Sequence, residues 1–233
     1  MCATCGCGEG ETRSGTVHGL VDGDGRAPAE ANRGWLTERG VLALNLVGFP
    51  GAGRTTLVER TLAENGARAP VAVLVGNPVP EWDAERLTAA GGEVARIDTE
   101  EGTPPDAETL GRGLRALDPT RGSVVLVDSV CDPGRPAPPD LGEHARVVLT
   151  AATEGDDGPV KYPHLFRGAD LVLVNKMDLL PYLSFDPAVF TERLRGVSPE
   201  AEILPISVTE TLGLAVWYDW LSERVHTPVG EGV

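Results

Sequence analysis

From about Trp35 onward, short apolar runs recur at residues 41–47, 71–75, 94–97, 124–127, 147–150, 171–174 and 203–206. Several are unbroken rather than alternating, the pattern of strands covered on both faces of a sheet. Between them, Leu110, Leu114 and Leu117 sit at helical spacing behind Pro104 and Pro105, and Leu214, Trp217 and Leu221 do the same near the C-terminus. This alternation predicts an α/β domain with a mainly parallel sheet and helices on both faces. Residues 8–34 are Gly-rich and polar without a sustained apolar period, which predicts a flexible linker. The Pro- and Gly-rich stretch 131–139 predicts a loop at a strand end. The expected organisation is a tail and linker over 1–34, one folded domain over 35–225 and a frayed end over 226–233.

The chain of 233 residues is ample for such a core, and its 41% hydrophobic and 24% charged residues are ordinary for a globular domain. With 20 Lys+Arg against 35 Asp+Glu, the net charge of −15 argues against a nucleic acid or an anionic membrane as partner. No apolar run approaches the roughly 20 residues of a spanning helix, and the N-terminus lacks a signal-peptide pattern. A soluble, cytoplasmic protein is expected. Cys2, Cys5 and Cys7 are crowded at the start, whereas Cys131 stands alone. Three thiols this close cannot all pair with one another, so a reducing compartment and a metal are expected.

The first strand runs into Gly48-Phe49-Pro50-Gly51-Ala52-Gly53-Arg54-Thr55-Thr56. That order is strand, G-x-x-x-x-G, basic residue, Thr, helix. Its glycines let backbone N–H groups wrap phosphates, the helix N-terminus adds partial positive charge, and Thr55 offers a hydroxyl to Mg²⁺. The cofactor-binding residues expected here are Gly48, Gly51, Ala52, Gly53, Arg54, Thr55 and Thr56. Arg54 replaces the usual Lys, and a planar guanidinium does not act as a point-charge ammonium does. Nucleotide binding is expected, efficient hydrolysis much less so. The plain structural alternative is a Gly-rich turn with no ligand.

Asn175-Lys176-Met177-Asp178 directly follows the run at 171–174. A carboxylate at Asp178 accepts from both guanine N1–H and the exocyclic amine, a pair that adenine cannot present. Lys176 can lie over the base, and Asn175 can bond guanine or brace the neighbouring loop. Ser207 and Val208 sit where GTP-binding folds place a second base-contacting loop.

The spacing Cys-x-x-Cys-x-Cys at Cys2, Cys5 and Cys7 gathers soft thiolates in one short segment. With a backbone nitrogen or the terminal amine as fourth donor, the set suits square-planar Ni²⁺, whereas four-coordinate Zn²⁺ prefers a tetrahedron. A zinc site, a redox site or incidental thiols are the alternatives. His18 reads as a solvated linker residue, so bulk nickel storage is not expected.

These segments resemble the HypB family, GTP-binding nickel-insertion factors of nickel–iron hydrogenase maturation. The resemblance runs through MCATCGCGEG, LNLVGFPGAGRTTLVERTL, DLGEHARVVL, TEGDDGPVKYPHLF, LVLVNKMDLLPYLSFD and ILPISVTETLGLAVWYDWL. It covers nearly the whole domain and the extreme N-terminus but leaves the linker unmatched. It implies a P-loop G domain of the SIMIBI class that binds GTP or GDP and forms a nucleotide-dependent homodimer. It also implies a HypA-type accessory protein, the hydrogenase large subunit and a SlyD-like isomerase as partners. Asp128 stands where the family has an acidic residue near the γ-phosphate, so Arg54, Thr55 and Asp128 are the catalytic candidates.

The departures from the family fall on the catalytic side. Asn77 replaces an Asp that helps hold Mg²⁺, weakening that site. Thr103 and Pro104 stand in place of a metal-binding Cys-His pair, and Arg135 in place of the third ligand, with Cys131 four residues earlier. The expectation is a divergent nickel metallochaperone that binds guanine nucleotide and hydrolyses it slowly or not at all. A non-catalytic carrier or scaffold, and a UreG-like or cobalamin-related GTPase for another metalloenzyme, are the alternatives.

Overall fold

All seven apolar runs form strands in the computed structural model, which describes residues 26–66, 68–76, 81–97, 105–130 and 139–226. They are β1 (Leu42–Gly48), β2 (Val71–Gly76), β3 (Glu93–Ile97), β4 (Val124–Val130), β5 (Ala145–Ala151), β6 (Leu171–Asn175) and β7 (Glu202–Pro205). Together they make one seven-stranded sheet in the order β3-β2-β4-β1-β5-β6-β7, with every pairing parallel. The central strand β1 is buried along its whole length, which explains why its sequence does not alternate.

Two apolar layers flank the sheet. On one face Ala43, Ala72, Leu74, Val125 and Val127 meet α1 (Arg26–Arg39) and α4 (Ala107–Leu117) through Leu36, Leu110, Leu114 and Leu117. On the other, Leu44, Leu46, Val73 and Leu126 meet α2 (Arg54–Asn65), α6 (Pro163–Phe166), α7 (Pro187–Arg195) and α8 (Leu214–His226). Successive residues of β1, β2 and β4 thus serve opposite cores, as the two-residue side-chain period of a strand requires. Among the described residues the other α-helices are α3 (Glu81–Ala89) and the single turn α5 (Gly158–Lys161), with 3-10 turns at Ala152–Glu154 and Met177–Tyr182.

The expected linker over 8–34 differs from the structure at its far end, because α1 already begins at Arg26. Its buried stripe is Ala29, Asn32 and Leu36, which is short and partly polar and therefore gives little hydrophobic signal. Asn32 Nδ2 donates to Ala107 O at 2.6 Å and Leu141 O at 2.9 Å, satisfying two buried carbonyls. The segment before β5 is fitted closely to this helix. A Cβ on Gly142 (φ +87°) would lie 2.2 Å from Ala29 O.

Glu143 in that segment accepts from Leu141 N and from Asn45 of β1, and His144 Nδ1 accepts from Ala43 N at 3.1 Å. Cys2, Cys5, Cys7, His18, Asn77, Thr103, Pro104, Cys131 and Arg135 lie outside the described residues. Among the described residues, no helix is long and apolar enough to cross a membrane.

Candidate nucleotide site

Open parallel sheets bind ligands beyond the carboxyl ends of their strands, beside the strand where the winding direction changes. Here that strand is β1, with β4 on one side and β5 on the other. The loop from Phe49 to Gly53 follows it and opens α2, with Gly51 at φ +80° and Gly53 at φ +99°. Gly48 and Gly53 are glycine for space as well as rotation. A Cβ on Gly48 would lie 2.5 Å from Leu149 O, and one on Gly53 would lie 2.5 Å from Asn175 Nδ2.

The second contact reveals how the site is joined. Asn175, buried at the end of β6, donates from Nδ2 to Ala52 O at 2.7 Å and accepts at Oδ1 from Val208 N at 3.1 Å. Of the two roles expected for Asn175, the structure displays the brace. Its one amide joins the phosphate loop, the segment Asn175–Asp178 and the Ser207–Val208 loop. Ser207 is also buried, and its Oγ accepts from Glu210 N. Lys176 takes a left-handed conformation, φ 61°, turning the chain at the strand end. Asp178 Oδ1 is buried with no hydrogen-bond partner among the described residues.

Arg54 begins α2, and its Nη1 donates to Asp128 Oδ1 at 2.9 Å, with 14% and 11% of the two side chains exposed. Burial raises the Asp128 carboxyl above its ordinary range, Arg54 opposes that shift, and the charge of Asp83 on α3 adds to it. Thr55 and Thr56 are part-buried in the first turn of α2.

The candidate residues from Gly48 to Thr56, with Asp128, Asn175–Asp178 and Ser207–Val208, therefore lie at the carboxyl ends of the strands, Asp128 within β4 and the others at strand ends, in the loops and turns that follow or in the first turn of α2. Cys2, Cys5 and Cys7 lie outside the described residues, and among those described no three His, Cys, Asp or Glu side chains form a metal-holding group.

Two contacts made by the TEGDDGPVKYPHLF segment, which the resemblance already marks, are not readable from sequence. Glu154, in the turn after β5, accepts from Thr150 Oγ1 at 2.9 Å. Burial raises its carboxyl, partly offset by the Thr150 hydroxyl, the Ala151 N–H and Lys176. Its signal was positional, an acid just past a strand beside β1. Phe49 of the phosphate loop packs edge-on to Tyr162 at 5.3 Å between ring centres, and Tyr162 meets His164 at 6.5 Å. The Lys161–His164 stretch thus abuts the phosphate loop through an aromatic contact that spacing alone does not disclose.

A glycine-wrapped helix start after β1, a carboxylate on the neighbouring β4 and the Asn175–Asp178 turn after β6, on the other side of β1, fit a P-loop G domain of the SIMIBI class. The nucleotide-binding domain of the CobW/HypB/UreG family matches residues 42–205, and the chain belongs to that family.

Among individual proteins, the hydrogenase maturation factor HypB of Azotobacter vinelandii is 37% identical over 85% of this chain and 66% of its own length. The chain thus spans slightly less than two thirds of that relative. The HypB crystal structure from Archaeoglobus fulgidus superimposes with a TM-score of 0.79 at 31% identity, covering 87% of this chain and 98% of that one. HypB from Helicobacter pylori, crystallised in complex with nickel, gives 0.78 at 26% identity, covering 86% and 94%. The cell division protein FtsY from Thermotoga maritima, at 16% identity and a TM-score of 0.51 over 85% of this chain and 77% of that one, shares the fold alone.

Proposed function

We propose that this chain is a HypB-type nickel metallochaperone that binds guanine nucleotides and helps insert nickel into the large subunit of a nickel–iron hydrogenase. The observations that carry the nucleotide part are the Asn175 brace and, beside it in sequence, a buried carboxylate oxygen of Asp178 with no hydrogen-bond partner among the described residues. A buried acceptor without a donor is costly, and a guanine edge offers two donors to such a carboxylate.

In this reading the phosphates lie against the backbone from Gly48 to Thr56, Lys176 covers the base, and Ser207 and Val208 close its edge. Nickel is cargo, held by Cys2, Cys5 and Cys7. A HypA-type protein, a SlyD-like isomerase and a second copy of the chain are its partners, in the cytoplasm, where the thiols stay reduced.

Mg²⁺ fits the described residues in part. Thr55 would offer the ion a hydroxyl and Asp128, freed from Arg54, a carboxylate, with the remaining ligands to come from phosphate and water. When bound, the ion would neutralise phosphate charge. The Arg54–Asp128 pair also favours the second reading, a carrier that binds nucleotide without turning it over.

Replacing Asp178→Asn tests the base assignment. An amide offers one acceptor and one donor, which matches xanthine rather than guanine. In competition titrations the variant should lose about a hundredfold in GDP affinity and gain for XDP. Undiminished GDP binding would remove Asp178 from the base site.

A further inference from the structure

The candidate nucleotide site contains an ion pair between Arg54, at the start of α2, and Asp128 of β4. Arg54 Cδ lies 3.1 Å from the position of a Cβ on Gly48, so the side chain folds back across the end of β1. It ends at β4, where Nη1 meets Asp128 Oδ1 at 2.9 Å. Asp128 stands opposite Leu46 of β1 and Val75 of β2, inside the carboxyl edge of the sheet rather than out among the loop N–H groups. Both side chains are largely desolvated, so neither charge is well served by water alone. A polyphosphate entering the loop offers the same guanidinium several charged oxygens in a geometry its fork matches well. A single guanidinium bonded at 2.9 Å to a buried carboxylate must loosen that bond to turn fully to phosphate.

We propose that Asp128 competes with the nucleotide phosphates for Arg54, so that binding is an exchange of partners and Asp128 sets nucleotide affinity. This deepens the guanine-nucleotide reading above and rests on it. The exchange has a cost on the Asp128 side. Once the guanidinium leaves, a buried carboxylate remains in the field of Asp83, whose own Oδ1 is buried and has Arg86 Nη1 no nearer than 3.6 Å. That cost weakens binding most when no divalent cation is present to take the place of the guanidinium.

The rival explanation is that Asp128 merely repels phosphate by its charge, without acting through Arg54. A double-mutant cycle on the full chain separates the two, with GDP affinity measured in EDTA and again with Mg²⁺. In EDTA, Asp128→Asn should tighten GDP binding by about tenfold or more. The same substitution in an Arg54→Ala background should change affinity little, and Mg²⁺ should narrow the gap between parent and Asp128→Asn. Equal tightening in both backgrounds, or none in either, overturns the proposal. Thermal melts establish that each variant is folded, and Asp128→Ser repeats the test with a smaller neutral group.

Failure here is distinguishable from failure of the nucleotide reading. If the parent binds GDP and Asp128→Asn binds no tighter, only the exchange falls. If none of the variants binds GDP, both fall.

Discussion

Arg54 illustrates how one substitution changes the meaning of a motif. The loop around it keeps its glycines, its positive-φ geometry and its helix start, so the phosphate cradle is intact as backbone. What differs is the cationic group, a planar fork now bonded to Asp128. Lysine at this position would place a compact ammonium with freely turning donors near the same carboxylate, and would release it more readily to phosphate. Arg54→Lys is therefore expected to raise GTP turnover by about tenfold or more, a lowering of the barrier by ~1.4 kcal/mol, in a phosphate-release assay with Mg²⁺. A variant as inert as the parent would show that loss of the Lys alone does not explain low activity. The motif itself was plain in the sequence, and so was the exchange. The pairing was not, because Arg54 and Asp128 meet only once β1 and β4 lie side by side.

The inner strands were legible because both faces of the sheet are covered there, so each appears as a short dense apolar run, whereas the part-exposed edge strands β3 and β7 carry charged residues and give a weaker pattern. Helices α4 and α8 were legible from the spacing of Leu110, Leu114 and Leu117, and of Leu214, Trp217 and Leu221. Helix α1 was not, since its seat depends on the Asn32 amide and on a glycine at 142 rather than on a stripe of large apolar side chains.

The end of α1 and the start of β1 are further tied by His144, whose Nδ1 accepts from Ala43 N while Nε2 faces Thr37 Oγ1 at 3.4 Å. Burial, with Arg33 nearby, pushes this imidazole below its ordinary value of 6.5. The unfolded chain therefore binds the proton more readily. Stability from His144 is present above pH 6.5 and is lost as the pH falls toward and through its lower folded value. Melting temperatures followed downward from pH 7 should fall more steeply for the parent than for His144→Gln. The latter should itself sit lower at pH 7 if the bond to Ala43 N is worth about 1 kcal/mol. Parallel curves would remove His144 from the acid response.

The chain combines a nucleotide-binding domain with three closely spaced thiols early in the sequence, for which the proposed cargo is nickel. Substituting Cys2, Cys5 and Cys7 together by Ser should abolish tight nickel binding and leave the domain folded with its helix and strand content unchanged. Equilibrium dialysis with Ni²⁺ checks the first expectation and circular dichroism the second. Stoichiometric tight binding in the triple variant would move the nickel site elsewhere. The parallel sheet with helices on both faces follows from the apolar pattern, whereas the order of its strands comes from the structure. Nor does the pattern give the division of labour within the loops, because Asn175 could equally have faced a base.

That amide also limits how modular the domain can be. Base specificity in proteins of this kind invites engineering by grafting, in which the segment after β6 is replaced by one that reads another ring. Here the graft would have to bring more than a new carboxylate. Any residue at 175 other than Asn leaves Ala52 O or Val208 N without its partner, at about 1–3 kcal/mol for each buried group. The donor segment must therefore inherit the amide along with its new specificity. Otherwise the transplant would alter the pocket for the phosphates while intending to alter only the one for the base.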